Sequence, residues 1–89
     1  MNWLHLRDDS FQIFENIRKK AGQDYVKITE GIETDRKKLR GNIVDLVKQD
    51  LIYCEREKPW VLGKYYLSNK AEHLLEEQNI EYDVPDFDW

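Results

Sequence analysis

Apolar residues near the N-terminus recur every three to four positions, which predicts an amphipathic helix over about residues 10–21. The residues of this stripe are Phe11, Phe14, Ile17 and Ala21. Gly22 is expected to end the helix, because glycine adopts the left-handed conformation of a helix C-terminus without strain. Three residues that commonly cap helices precede the stripe and are expected to cap its start: Asp8, Asp9 and Ser10. A shorter apolar group over 25–32 predicts a strand turn or a small helix, and Gly31 limits its length.

The middle of the chain predicts a long helix from Arg36 to about Gln49. Its apolar stripe consists of Leu39, Ile43, Leu46 and Val47. Thr34 and Asp35 are expected to cap its start, and a tight turn over 33–35 is expected to join it to the short second element.

Two β-rich runs separated by a turn that contains Pro59 predict a hairpin over about 52–67. Alternation along its second strand places Tyr65 and Leu67 towards the core. Cys54 is expected to be a small core residue, and Trp60 is expected to pack on its own domain. A last helix is expected to follow the capping pair Ser68-Asn69, with Ala71, Leu74 and Leu75 on its apolar face.

The predicted order is therefore helix, short helix, long helix, hairpin, helix. This order is typical of an α+β winged helix, with a three-helix helix-turn-helix core, a β-hairpin wing and a C-terminal helix. We expect one winged-helix domain over residues 1–78, followed by an acidic, aromatic tail over 79–89.

The charge is unevenly distributed along the chain. The net charge of the 89 residues is −4, but residues 72–89 hold seven acidic residues and no lysine or arginine. Residues 1–71 hold all 14 basic residues and 11 acidic ones, and so carry a net charge of +3. A basic body with an acidic tail is compatible with a nucleic-acid ligand, since local charge guides an anionic partner more than the total does.

The long helix carries a cluster of cations at its N-terminal half, which is the half that enters the major groove in helix-turn-helix proteins. The cluster consists of Arg36, Lys37, Lys38 and Arg40. At about 100° per residue these cations fall outside the apolar stripe, as does Lys48 further along. Positive charge near a helix N-terminus opposes the helix dipole, which favours an anionic partner over a merely solvated face.

Two small residues on the outer side of this helix allow two interpretations each. Gly41 either permits close approach of DNA or only loosens the helix, and Val44 either contacts a thymine methyl group or belongs partly to the core. The hairpin adds Arg56, Lys58 and Lys64, which suit contacts with the DNA backbone or the minor groove.

The sequence offers no support for an enzyme, a metal site or a cofactor. His5, Cys54 and His73 are far apart and lack metal-ligand spacing, and there is no glycine-rich phosphate loop. A single cysteine excludes an internal disulfide and fits a reducing compartment, and no apolar run is long enough to span a membrane. We therefore expect a cytoplasmic protein.

The stretch over 34–52 resembles the recognition helix and exit of MarR-like winged-helix regulators, and 64–75 resembles their last wing strand and the helix after it. The opening, with Trp3, Asp8-Asp9 and Ile13-Phe-Glu-Asn-Ile, is similar to archaeal PhiH-repressor-like proteins. Two positions depart from the usual glycines, Asp50 and Ala71. The resemblance implies DNA binding, usually as a symmetric dimer. In addition to the wing residues, it implies a set of DNA-facing positions on the long helix: Arg36, Lys37, Lys38, Arg40, Gly41 and Asn42.

These observations predict a regulator of transcription, repressor-like, that binds specific double-stranded DNA. Its recognition helix, about 35–49, would lie in the major groove and its wing, about 52–67, on the backbone or minor groove. A homodimer is expected, and the acidic tail is expected to weaken DNA binding or to dock on a protein partner. The alternatives are a winged-helix module that binds protein, and a viral anti-repressor whose acidic tail imitates DNA.

Overall fold

The structure, a computed structural model, describes residues 3–80. Its helices and strands follow the predicted order. They are α1 (Asp8–Lys19), α2 (Tyr25–Ile28), α3 (Arg36–Lys48), β1 (Ile52–Glu55), β2 (Lys64–Leu67) and α4 (Asn69–Glu77).

One hydrophobic core joins all six elements. Its largest fully buried side chains come from the helices and from the first strand: Ile13, Phe14, Ile17, Ile28, Leu46, Ile52 and Leu75. Helix α1 lies against α3 and β2 and presents one apolar face to both. Removing these side chains from water is the main force that holds the long helix in place.

Helix α1 begins and ends earlier than predicted. Its N-cap is Arg7, which forms no side-chain capping hydrogen bond, and Asp8 and Asp9 lie in the first turn. Acidic residues there stabilise the helix through its dipole, so their contribution is electrostatic and they are not caps. Ser10 is buried inside the helix. The prediction of three capping residues was therefore wrong.

Helix α2 settles the open choice for residues 25–32 in favour of a small helix, only four residues long. The Asn16 Nδ2 donates to the carbonyl oxygen of Ile28 at 2.9 Å, which satisfies the end of α2 from α1. Gly31, with φ of +82°, turns the chain away. The connection to α3 spans 29–35, so the turn between the two helices is longer than predicted.

Helix α3 has a capping motif at each end, formed by residues next to it in the sequence. The Asp35 carboxylate accepts a hydrogen bond from the Lys38 amide at 2.8 Å, as the prediction of an Asp35 cap required. At the other end, the Leu51 amide donates to the Leu46 carbonyl and the Asp50 amide to the Val47 carbonyl, both at 3.0 Å. This pair of bonds is a Schellman motif, so α3 lies between two well-defined ends.

The hairpin pairs β1 with β2 in antiparallel register, with Ile52 opposite Leu67 and Glu55 opposite Lys64. A third segment joins the sheet through an isolated bridge between Gln23 and Tyr65, which the sequence pattern did not predict. The bridge ties the wing to the start of α2. Leu67 is buried and Tyr65 packs partly against the core, as the alternation predicted.

Three predictions of burial were wrong. Val47 is 46% exposed and Trp60 is 78% exposed, and Cys54 is an exposed free thiol. Val47 lies on the edge of α3 that faces away from α1. Trp60 lies at the tip of the wing, beyond the core, and Cys54 lies on the side of β1 that borders the depression between the wing and α3.

Candidate nucleic-acid interface

The N-terminal half of α3 presents its cations to solvent. All four predicted side chains are exposed: Arg36, Lys37, Lys38 and Arg40. The opposite side of the helix, with Leu39, Ile43 and Leu46, is buried against the core. Because the Asp35 cap and the core contacts fix this helix, the four cations extend from a rigid surface.

No ion pair neutralises this cluster within residues 3–80. The ion pairs of that part of the chain join Arg18 to Glu15 on α1 and His73 to Glu76 on α4. The α3 cations therefore keep their charge for an external partner. Over residues 36–64, eight basic and four acidic side chains leave a net charge of +4, opposite in sign to the chain as a whole.

The wing adds three exposed cations, Arg56, Lys58 and Lys64. The Lys58 ammonium lies 5.5 Å from the centre of the Trp60 ring, a cation–π contact at the tip of the wing. Below the tip, Tyr53 and Tyr66 stack across the two strands at 5.4 Å between ring centres. The aromatic pair stiffens a hairpin whose strands are only four residues long.

A groove of about 580 Å³ separates the wing from α3. Its cationic rim consists of Arg36, Arg40 and Arg56. Its apolar lining consists of Tyr25, Val26, Ile43, Val44, Leu62 and Tyr65. Helix and wing thus form one continuous surface with both cationic and apolar parts.

The sequence predictions missed two exposed contributors to this groove, Val26 on α2 and Leu62 on the wing. Val26 carried no signal in the sequence, because a helix of four residues is too short for periodicity to show which side is buried. Leu62 follows a turn that the Val61 amide closes on the Lys58 carbonyl, so alternation along a strand could not assign its side.

Three further predicted site residues lie on α3, and one of them is not accessible. Asn42 is only 6% exposed, so the prediction that its side chain faces DNA was wrong. The buried side of α3 includes Asn42 because α1 packs on that flank, where Asp9 and Asn42 line the same depression. Gly41 is on the outer side, and a Cβ there would meet nothing within 4 Å beyond the backbone of α3 and the two neighbouring residues. Lys48 is exposed at the C-terminal end.

Two tyrosines of the wing have phenol groups with altered acidity. Burial raises the pKa of Tyr65 above its usual value, and the neighbouring Cys54 side chain raises it further. Burial also raises the pKa of Tyr53, with a smaller effect from Glu55. Both phenols therefore stay neutral throughout the physiological range, and the charge of the groove rests on its arginines.

Within residues 3–80, no cluster of histidine, cysteine and acidic side chains could hold a metal ion. The same residues include no helix that is long and apolar enough to cross a bilayer.

No family model matches the sequence, and no curated protein matches it. Among solved structures, the chain is similar to the transcriptional regulator SlyA, with a TM-score of 0.61 and 21% sequence identity. The match covers 82% of this chain and 54% of the SlyA chain, so this chain spans about half the length of that protein. The likeness confirms the α+β winged-helix fold that the sequence predicted.

Proposed function

We propose that this chain binds specific double-stranded DNA as a repressor-like regulator of transcription. Helix α3 lies in the major groove, and the wing contacts the backbone or the minor groove. The observation that carries the proposal is the exposed cluster of Arg36, Lys37, Lys38 and Arg40, which has no ion pair within the described residues.

The dimensions of α3 suit this role. Thirteen residues make a helix of about 20 Å, and its cations occupy the first turn and a half. The wing cations Arg56, Lys58 and Lys64 lie on the adjacent hairpin, where they would neutralise the phosphates that flank the groove. The fold shared with a transcriptional regulator supports the same assignment.

The first test is a gel-shift assay with random-sequence duplex DNA at 50 and 200 mM salt. Six phosphate contacts would lower the affinity roughly 10³-fold over this range, because bound cations displace condensed counterions. Affinity that does not change with salt would argue against the phosphate contacts on which the proposal depends.

The second test is the double variant Lys37→Glu and Arg40→Glu, which should abolish DNA binding while the domain stays folded by circular dichroism. A matched control, Lys19→Glu with Lys20→Glu, makes the same change of charge at two exposed lysines where α1 ends. The control should keep most of the affinity. Full affinity in the folded Lys37/Arg40 variant would rule out α3 as the reader.

A second candidate function is binding of protein, either as a module in a larger complex or as an anti-repressor. The exposed aliphatic side chains of the groove favour it, Val26 and Leu62 above all, because DNA offers few apolar groups to cover them. A salt-independent failure to bind duplex DNA would favour this alternative. Location in the cytoplasm remains a prediction in either case.

A further inference from the structure

Val44 is an apolar side chain in the middle of the exposed face of α3, the face to which we assign DNA binding. It is 48% exposed, so the sequence-based alternative of a partly core position is ruled out. It lines the depressions on both sides of the helix, the one towards α1 and the two towards the wing. A residue that borders all three lies at the middle of the outward face.

The surroundings of Val44 leave it open to a ligand. One turn earlier, Gly41 has no side chain, and apart from the backbone of α3 and the two neighbouring residues no atom lies within 4 Å of the position of an added Cβ. Arg40, four residues before Val44, lies on the groove side and is exposed. The helix surface next to Val44 therefore has no side chain at Gly41 and an arginine, Arg40, on the groove side.

The chemistry of the position limits what Val44 can contact on DNA. An isopropyl group forms no hydrogen bond to a phosphate or to a base edge. The neighbouring Asp45 carboxylate repels phosphate. The apolar group that the major groove does offer is the 5-methyl group of thymine.

We propose that Val44 reads the 5-methyl group of a thymine in the major groove. This inference rests on the proposed DNA-binding function and adds a specificity-determining contact to it. Because residues four apart are about 6 Å apart along a helix, a base contacted by Arg40 lies within about two base pairs of this thymine.

The test begins with selection of a preferred duplex from a random library. Each thymine is then replaced in turn by deoxyuridine, which removes only the methyl group. The unaltered chain should lose about fourfold in affinity at one thymine of each bound site, the effect of exposing one buried methyl group. With Val44→Ala, duplexes with and without that methyl group should bind equally.

Val47→Ala is the matched control, because Val47 is the same residue type on the same helix and is 46% exposed. It lies one turn further towards the C-terminus, and this variant should keep the fourfold preference for thymine. Both variants should fold, since alanine favours helix more than valine does.

Two results would overturn the inference while leaving the proposed function intact: duplex binding that is insensitive to every replacement, or a thymine preference that survives Val44→Ala. A selection that enriches no sequence would overturn both the inference and the sequence specificity of the proposed function. Absence of any binding to duplex DNA would overturn the proposed function together with the inference.

Discussion

Asp50 and Asn79 occupy equivalent positions, one residue beyond the caps of α3 and α4. Both have left-handed backbone conformations, with φ of +57° and +55°. In each case the amide of this residue and the amide of the next residue donate the two hydrogen bonds of a Schellman motif. The next residue, Leu51 or Ile80, packs on the core. Glycine is the usual residue at such a position, so the chain accepts backbone strain to obtain these two helix ends.

Replacing Asp50 with glycine should therefore stabilise the protein. The left-handed conformation costs an L-residue about 1–2 kcal/mol, whereas the greater freedom of unfolded glycine offsets about 0.5–1 kcal/mol of that gain. The net increase in the free energy of unfolding is about 0.5–1 kcal/mol, measurable by urea denaturation. Asn79→Gly should gain less, because asparagine tolerates this conformation better, and a lower stability for Asp50→Gly would contradict the argument.

Gly63 is required by the close approach of the two sides of the hairpin. A Cβ added to it would lie 2.1 Å from the Sγ of Cys54 and 3.1 Å from the Cγ of Arg56. This contact also explains the position of Cys54, whose thiol lies over the glycine rather than in the core. The signal in the sequence was a lone glycine next to a strand, which often marks such an approach.

Gly63→Ala should lower the free energy of unfolding by about 1–3 kcal/mol, the usual cost of overpacking. Combining it with Cys54→Ala should restore much of the loss, because the sulfur atom is then absent. Gly41→Ala is the control, since its Cβ meets open space, and it should raise stability by about 1 kcal/mol. Thermal unfolding of the three variants checks all of these expectations, and equal effects at Gly63 and Gly41 would refute the contact.

At the scale of elements, α3 depends on its cap more than an ordinary helix does. Its first five residues include four cations, which oppose the positive end of the helix dipole. The Asp35 carboxylate offsets this repulsion in two ways. It accepts a hydrogen bond from the Lys38 amide at 2.8 Å, and it places a negative charge at that end of the helix.

Asp35→Ala should therefore lower the free energy of unfolding by about 1–2 kcal/mol, towards the upper part of the range for lost caps. Asp35→Ser keeps a hydrogen-bonding cap without the charge and should lose less than half as much. The measurement is chemical denaturation at low and high salt. If the two variants were equally unstable, the hydrogen bond would not be the main contribution of Asp35.

The wing is held in place by hydrogen bonds to a segment outside the hairpin. Its two strands are four residues each, and a short isolated hairpin is marginally stable in water. The Gly22 amide donates to the Tyr65 carbonyl at 2.8 Å, and the Tyr65 amide donates to the Gln23 carbonyl at 2.9 Å. These two bonds anchor the base of the wing next to α3, where the proposed interface needs it.

At the scale of the whole molecule, the structure shows how the apolar side chains that favour a homodimer are packed. Besides the resemblance, the apolar side chains near both ends of residues 3–80 favour a homodimer, among them Trp3, Leu6 and Leu74. Each of these packs in part against the core of its own chain, and Trp3 meets Phe14 edge to face at 6.4 Å. Their exposed remainders are the surface on which a second copy would have to dock.

We expect light scattering at tens of micromolar to give twice the mass of one chain. A dimer would also let two α3 helices read half-sites about one DNA turn apart. Leu74→Glu should shift the equilibrium towards monomer, while His73→Glu, on the exposed side of the same helix, should not. A monomeric mass at that concentration would contradict the prediction.

The acidic tail remains a prediction, since residues 81–89 lie outside the described part of the chain. Beyond Ile80 it carries four acidic residues, interleaved with Tyr82, Phe87 and Trp89. Competition with phosphate for the α3 cations would weaken DNA binding, most strongly at low salt, where screening is least. A chain truncated after Ile80 should bind duplex DNA more tightly than the full chain at low salt, and equal affinities there would exclude an inhibitory tail.

The sequence alone determined the features that depend on neighbours along the chain. The order of elements, the Asp35 cap and the exposed cations of α3 follow from spacing and local hydrogen bonding, and the structure reproduces them. Such features are predictable because a helix places residues three and four apart on one face whatever surrounds it.

Only the tertiary structure decided which edge of each element is covered. Asn42 and Val47 lie on opposite edges of the apolar stripe of α3, about 140° apart around the helix. Helix α1 packs on the Asn42 edge, so the asparagine is buried and the valine faces the wing. The Gln23–Tyr65 bridge joins residues 42 positions apart. Burial at such places depends on which distant segment packs against them, and the periodicity of one segment contains no information about that.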